Sequence, residues 1–188
     1  MSKLYFRYGA MGASKTANCI MVAYNYMERG QNVLIFKSNM DTRSGNLIIK
    51  SRANLEMKCI DTDENYDFRD ADLSNLHCIL IDEAQFLTNK QVIQLTEIAD
   101  KQGIPVICYG LRTDFQGEFF EGSAALMRLA DSIEEIKTVC WCGKKAIMNA
   151  RVHNGNVVYF GEQIQIGGNE SYISLCRKHW KENKLARE

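Results

Sequence analysis

Proline is almost absent from this chain: Pro105 is the only one in 188 residues. It precedes the apolar run Val106-Ile107-Cys108-Tyr109, at the start of a strand, where a missing N–H costs little. Any excess of charge of one sign is absent too. With 23 basic and 23 acidic residues, bulk electrostatics make no case for nucleic acid or a membrane surface as partner, although a locally basic cleft is compatible with the balance. No apolar run approaches the length of a membrane span, and the opening Met-Ser-Lys-Leu-Tyr-Phe lacks the charged start and long apolar region of a secretory signal. Repeats and low-complexity stretches are missing. The expectation is a cytoplasmic protein that binds neither nucleic acid nor membrane. Seven cysteines, an odd number scattered through apolar segments, read as thiols or metal ligands in a reducing compartment rather than as a disulfide framework. The length suits one ordinary domain, with or without a small appendage.

What is present alternates between strand and helix. Residues 3–8 read as a strand, and Ala17, Ile20, Met21, Tyr24 and Met27 share a helical face that Gly30 ends. Val33-Leu34-Ile35-Phe36 and Cys78-Ile79-Leu80-Ile81 are continuous apolar runs of the kind buried on both faces of a parallel sheet. Between them, residues 38–75 are polar, with long loops, an edge element and a short strand over 57–60 expected there. Thr88 with Gln91 reads as a capping box before a helix whose Val92, Leu95, Ile98 and Ala99 face inward, and Gly103 closes it. This is the pattern of an α/β protein with an open, mostly parallel sheet. After Ser132 the texture changes to short β-like runs, 147–152 and 157–160, around the turn His153-Asn154-Gly155-Asn156, with a final helix expected from about Ser171.

The first strand runs into Gly9-Ala10-Met11-Gly12-Ala13-Ser14-Lys15-Thr16. That is the spacing of a Walker A loop, in which backbone N–H groups and a helix N-terminus cradle phosphates, the Lys reaches the outer phosphates and the Thr hydroxyl binds Mg²⁺. The plainer reading is a Gly-rich strand-to-helix turn with a capping Ser. Ser14 departs from the pattern at the position where Gly usually stands. If φ is positive there, Ser costs about 1 kcal/mol or more; if it is negative, its hydroxyl adds a phosphate contact. The later apolar strand ends in Asp82-Glu83, which suits a Walker B metal carboxylate followed by a base for an incoming hydroxyl. An acidic pair at a helix N-terminus is the alternative.

Cys140 and Cys142 lie some thirty residues before Cys176 and His179, two short-spaced pairs that fit a tetrahedral Cys₃His zinc site. Thiols in a hairpin and a helix are the other reading. Cys19, Cys59, Cys78 and Cys108 sit in apolar surroundings and are assigned to the core, and His77 and His153 to a strand edge and a turn. Asp41 and Arg43, with Ser51-Arg52 further on, fit a phosphate- and sugar-binding loop or a solvated charged one.

The runs Leu4-Tyr5-Phe6-Arg7-Tyr8-Gly9-Ala10-Met11, Asp41-Thr42-Arg43, Asp82-Glu83-Ala84-Gln85-Phe86-Leu87 and Tyr109-Gly110-Leu111-Arg112-Thr113-Asp114-Phe115 resemble the type II thymidine kinase family. So do Cys140-Trp141-Cys142-Gly143 and Ile166-Gly167-Gly168-Asn169-Glu170-Ser171-Tyr172, which leads into Cys176-Arg177-Lys178-His179. The resemblance covers essentially the whole chain. It implies a RecA-like P-loop α/β core over residues 1–135 and a small, zinc-anchored, β-rich lasso module over 136–188. It implies ATP, Mg²⁺ and a structural Zn²⁺ as cofactors, and phosphorylation of thymidine or deoxyuridine to the monophosphate. Glu83 would be the general base. Residues 9–16, Asp82 and Gln85 would serve the nucleotide, and Asp41 and Arg43 the 5′-end of the nucleoside. The base pocket would comprise Met11, Leu111, Phe115 and Tyr172, with lasso backbone from Gln163, Ile164, Gln165, Ile166 and Gly167 on the pyrimidine edge. The resemblance further implies a homotetramer and feedback inhibition by dTTP.

Overall fold

The computed structural model describes residues 3–41, 47–164 and 171–186. The chain runs β1 (Leu4–Tyr8), α1 (Lys15–Met27), β2 (Asn32–Ser38), β3 (Ile48–Lys50), β4 (Glu56–Lys58), β5 (Ile60–Thr62), β6 (Leu76–Asp82), α2 (Asn89–Glu97), β7 (Val106–Gly110), α3 (Glu121–Leu129) and β8 (Ser132–Glu135). There follow β9 (Thr138–Val139), β10 (Lys145–Ala146), β11 (Met148–His153), β12 (Asn156–Val158), β13 (Ser171–Leu175) and α4 (Arg177–Lys181).

Six strands form one sheet in the order β5-β2-β6-β7-β1-β8, every neighbouring pair parallel. Both faces of its middle are covered, which is why its strands are apolar throughout rather than alternating. Along β6, Cys78 and Leu80 join the cluster under α1, while Ile79 and Ile81 join the cluster that α2 and α3 complete. Thr88 and Gln91 make the expected reciprocal capping box on α2, whose Val92 and Leu95 are fully buried with Ile98 and Ala99 just beyond. Gly103 ends this helical stretch in the left-handed region.

The inward face of α1 is Cys19, Ile20 and Ala23, and Met21, Tyr24 and Met27 are more than half exposed, contrary to the expected stripe. Cys19, Ile20 and Ala23 pack in one cluster with Ile35, Cys78, Leu80 and Ile107 of the sheet, and the bulkier row is turned outward. The polar stretch after β2 holds an antiparallel β3–β4 hairpin and, at the sheet edge, β5; the strand expected over 57–60 is thus two separate short ones.

In the small module, β11 pairs with β12 through a two-residue Asn154-Gly155 turn with both φ angles positive, and with β13 on its other side. The helix expected from Ser171 is instead strand β13, and α4 begins only at Arg177 with Cys176 as its N-cap. Backbone pairing of residues 171–175 with β11 supplies ladder hydrogen bonds that local preference did not forecast. Cys140, Ala146, Ala150, Val157, Leu175 and Cys176 form this module's own core.

Candidate active site

The C-terminal ends of β1, β7 and β6 lie side by side, so the loops that follow them share one edge of the sheet. β7 stands between the two nucleotide motifs. The loop after β1 leaves through Gly9, where a Cβ would meet the Ile136 carbonyl oxygen at 2.4 Å, so only glycine fits. It then turns into α1. Ser14 is the α1 N-cap and sits at φ 58°, ψ 28°, so its side chain pays the left-handed strain that a glycine avoids. Its side chain makes no capping hydrogen bond.

Residues 11–17 line a cleft of about 370 Å³ together with Lys50, Ser51, Arg52, Ala53, Glu83 and Leu111. The Lys15 ammonium is buried and donates to the Gly9 and Ala10 carbonyls at 3.1 and 3.0 Å. Asp82, at the end of β6, is 2% exposed, and the Thr16 side chain hydrogen-bonds to it. Burial, reinforced by the Glu83 charge, pushes the Asp82 carboxyl well above the usual carboxylate range. Its Oδ1 is buried without a hydrogen-bond partner among the described residues. A buried oxygen acceptor beside a Thr hydroxyl, facing a phosphate loop, is the donor set a hard divalent cation takes.

Glu83 is left-handed as well, at φ 53°, ψ 40°. A side-chain carboxylate held in this sparsely populated conformation is aimed by the surrounding structure rather than by preference. Gln85 does the aiming: its Nε2 donates to Glu83 Oε2 at 2.5 Å, and its Oε1 accepts from the Leu111 N–H at 3.0 Å. Gln85, expected at the nucleotide, thus spends its side chain linking Glu83 to the loop after β7.

That loop carries Leu111 into the cleft and Phe115 into a buried position. The Arg151 guanidinium on β11 lies 3.7 Å from the Phe115 ring centroid and 5.5 Å from that of Tyr172. It also donates to the Tyr172 hydroxyl at 2.8 Å and to the Glu162 carbonyl at 3.0 Å. Gln163 Nε2 donates to Asp114 Oδ2 at 2.8 Å, and Ile164 is partly exposed. Asp41 stands at the end of the turn after β2, its N–H donating to the Ser38 carbonyl at 3.0 Å. Arg43, Gln165, Ile166 and Gly167 lie outside the described residues.

Arg52, which the sequence left between a phosphate ligand and a solvated charge, belongs to the cleft wall: its Nη1 is 3.6 Å from where a Gly12 Cβ would be. Arg151 and Asn149 carried no signal in the sequence. Both occupy β11 amid buried neighbours, and nothing in a period-two pattern marks which inward polar residue will organise a site.

In the small module, the ligand atoms of Cys140, Cys142, Cys176 and His179 all lie within 4.8 Å of one another. A tetrahedral zinc with Zn–S bonds near ~2.3 Å sets its sulfurs roughly 3.8 Å apart, so the cluster fits. His179 Nδ1 is 3.4 Å from Cys140 Sγ, and the imidazole stacks on Trp141 with ring centroids 4.2 Å apart. The Lys144 backbone N–H draws the Cys142 thiol downward, whereas burial pushes Cys140 upward. The other four cysteines are buried, unpaired and away from this cluster.

A family model described as thymidine kinase matches residues 2–180. The chain is 50% identical over 188 residues to the thymidine kinase of Zymomonas mobilis, covering 97% of each chain. It is 48% identical to that of Rhodopirellula baltica, covering 97% of this chain and 89% of that one. Against that of Lactococcus lactis the identity is 46%, with 96% and 97% covered.

Proposed function

The chain belongs to the thymidine kinase family, and we propose that it transfers the γ-phosphoryl group of ATP to the 5′-hydroxyl of thymidine or deoxyuridine. The observation that carries this reading is the convergence of the phosphate loop, Glu83 and Leu111 on one cleft. Glu83, oriented by Gln85, takes the proton of the attacking 5′-hydroxyl as the O–P bond forms and the bond to the ADP leaving oxygen breaks. The N–H groups of residues 12–16 bind the phosphates of ATP, and Lys15, which now donates to loop carbonyls, turns its ammonium to the outer phosphates. Mg²⁺, held by Asp82 and Thr16, supplies neutralisation of phosphate charge when bound. Arg52 adds a cation on the hairpin side.

Met11, Leu111, Phe115 and Tyr172 form an apolar and aromatic slot for the pyrimidine. Main-chain groups of residues 163–167 address its edge, and Asp41 and Arg43 the 5′-end. Residues 1–135 thus form the nucleotide-binding core and 136–188 the lasso module, which Zn²⁺ on Cys140, Cys142, Cys176 and His179 ties together. Closing the lasso over the nucleoside excludes water that would otherwise accept the phosphoryl group.

The outward row Met21, Tyr24 and Met27 on α1 supports a homotetramer in which this helix packs against another protomer. In the same reading, dTTP inhibits by placing its base in the thymidine slot and its phosphates toward the donor loop. The described residues include no helix long and apolar enough to cross a membrane, which is compatible with a cytoplasmic enzyme.

The test is product formation from ATP and Mg²⁺ with thymidine, deoxycytidine, deoxyadenosine or no nucleoside. Thymidine monophosphate from the wild type, lost roughly 10²–10⁴-fold in Glu83→Gln with thymidine still bound, is the expected result. No monophosphate from any nucleoside, despite tight ATP binding, would overturn the reading.

A further inference from the structure

Asn149 and Ser174 are direct partners across β11 and β13, and both side chains leave their own sheet for the same residue of the phosphate loop. Asn149 Oδ1 accepts from the Met11 N–H at 2.8 Å. The Ser174 hydroxyl donates to the Met11 carbonyl. The two polar groups of one loop residue are thereby both held by the small module, from residues 138 and 163 positions away in sequence.

Asn149 does more than accept. Its Nδ2 donates to the Thr113 carbonyl at 2.8 Å, and the side chain is 3% exposed. One carboxamide therefore joins the loop after β1, the loop after β7 and the sheet of the small module. The loop after β7 carries Leu111 and Phe115, and Met11 lines the cleft beside Leu111.

From this juxtaposition we infer that Asn149 and Ser174 are positioning residues that set the conformation of the phosphate loop, and through it the affinity for ATP. The inference rests on the kinase reading for the identity of the nucleotide. A Walker A loop binds phosphate with its backbone N–H groups, so which peptides face the cleft decides how many donors the phosphates meet. With its N–H given to Asn149 and its carbonyl to Ser174, the Met11 residue is pinned on both sides. The next peptides, Gly12 through Thr16, are left to face the nucleotide. Without those partners the Met11 peptides are free to rotate and the loop samples arrangements with fewer inward donors. Binding then includes the cost of restoring the productive one.

The strand register β11–β13 is what brings the pair together. Slipping β13 by one residue would point Ser174 to the opposite face. Residues 171–175 lead directly into Cys176, the N-cap of α4, so the strand that makes the phosphate-loop contact ends immediately before a residue of the Cys/His cluster.

The experiment compares wild type with Asn149→Leu, Ser174→Ala and Ser174→Thr. The readouts are the Kd for a fluorescently labelled ATP analogue without thymidine, the KM values for ATP and thymidine, and the thermal midpoint. Leaving the half-buried Met11 N–H or carbonyl without its partner is expected to weaken the nucleotide Kd roughly 5- to 100-fold in Asn149→Leu and Ser174→Ala. Ser174→Thr, which keeps the hydroxyl, should recover to within about twofold of wild type. The double variant should lose less than the product of the single losses, because both act on one residue. Ser174 is partly exposed, so Ser174→Ala tests the inference even where Asn149→Leu fails to fold. Equal nucleotide affinity in Ser174→Ala, Ser174→Thr and wild type would overturn it, as would a lowered thermal midpoint with unchanged Kd. A wild type that binds the ATP analogue but phosphorylates no nucleoside would instead sink the kinase reading and leave this comparison standing.

Discussion

Arg151 stacks its guanidinium 3.7 Å from the centre of the Phe115 ring and reaches past it to the Glu162 carbonyl. It is among the largest fully buried side chains of the molecule. A cation so placed is desolvated, and it is offset by the ring face, the Tyr172 hydroxyl and the backbone carbonyls of Glu162 and Gln163. Phe115, Tyr172, Glu162 and Gln163 are thus drawn together around one side chain.

Arg151→Leu should therefore raise the KM for thymidine far more than that for ATP. Leaving the Tyr172 hydroxyl and the Glu162 carbonyl without this donor costs about 1–3 kcal/mol, roughly 5- to 150-fold in binding. Lys keeps the charge but loses the planar fork, so Arg151→Lys should recover only part of the loss. Steady-state kinetics with each substrate varied in turn check this. A thymidine KM unchanged in both variants would remove Arg151 from the site.

Ser14→Gly should relieve the left-handed strain at φ 58°. The gain expected is about 1 kcal/mol, which for a chain of this size moves the thermal midpoint up by roughly 2–4 °C. The KM for ATP should change more than that for thymidine, since the residue lies in the phosphate loop. Ser14→Ala is the control and should gain nothing, because it keeps the Cβ. A larger change for thymidine than for ATP would mean that Ser14 does not address the phosphates.

Chelation or Cys176→Ser should strip the metal from the Cys140, Cys142, Cys176 and His179 cluster, lower the thermal midpoint and raise the KM for thymidine. Elemental analysis should find one zinc per chain in the wild type. Trp141, stacked on His179, provides an optical check: its fluorescence should change as metal leaves. Unchanged kinetics together with no bound zinc would show that the four residues are plain thiols and a histidine.

Replacing Met21 and Tyr24 on the outer face of α1 by Lys should dissociate the proposed homotetramer, as read by sedimentation velocity. Both side chains are more than half exposed in the single chain, so the protomer itself should keep its fold, with stability changed by no more than about 0.5 kcal/mol. A wild type that sediments as a monomer would dismiss the tetramer.

Several of these features are legible in the sequence alone. The capping box of Thr88 and Gln91, the inward Val92 and Leu95, the buried apolar strands and the Asn154-Gly155 turn are local events, decided by side chains within a few residues of one another. Two local readings failed for a shared reason. On α1 the apolar residues expected on one face are split, Ile20 buried and Met21, Tyr24 and Met27 outward, and over residues 171–175 a strand replaces the expected helix; in both places an energetic partner distant in sequence overrides local preference. For α1 it is the sheet residues Ile35, Cys78, Leu80 and Ile107, against which Cys19, Ile20 and Ala23 pack. For β13 it is the free edge of β11.

The candidate site divides along the same line. The residue types and spacings of the phosphate loop, Asp82-Glu83 and the Cys/His pairs are a chemical requirement written into contiguous sequence, and those were readable as such. The sign of φ at Ser14, the hold of Gln85 on Glu83, the stacking of Arg151 on Phe115 and the grip of Asn149 and Ser174 on Met11 are not. Each depends on which strands become neighbours and in what register. By itself the sequence determined the chemistry available to this protein, because motif spacing within a strand, turn or helix is set by local geometry. Only the tertiary structure decided how that chemistry is aimed, because the groups that orient it come together through strand order and burial, which no short stretch of chain encodes.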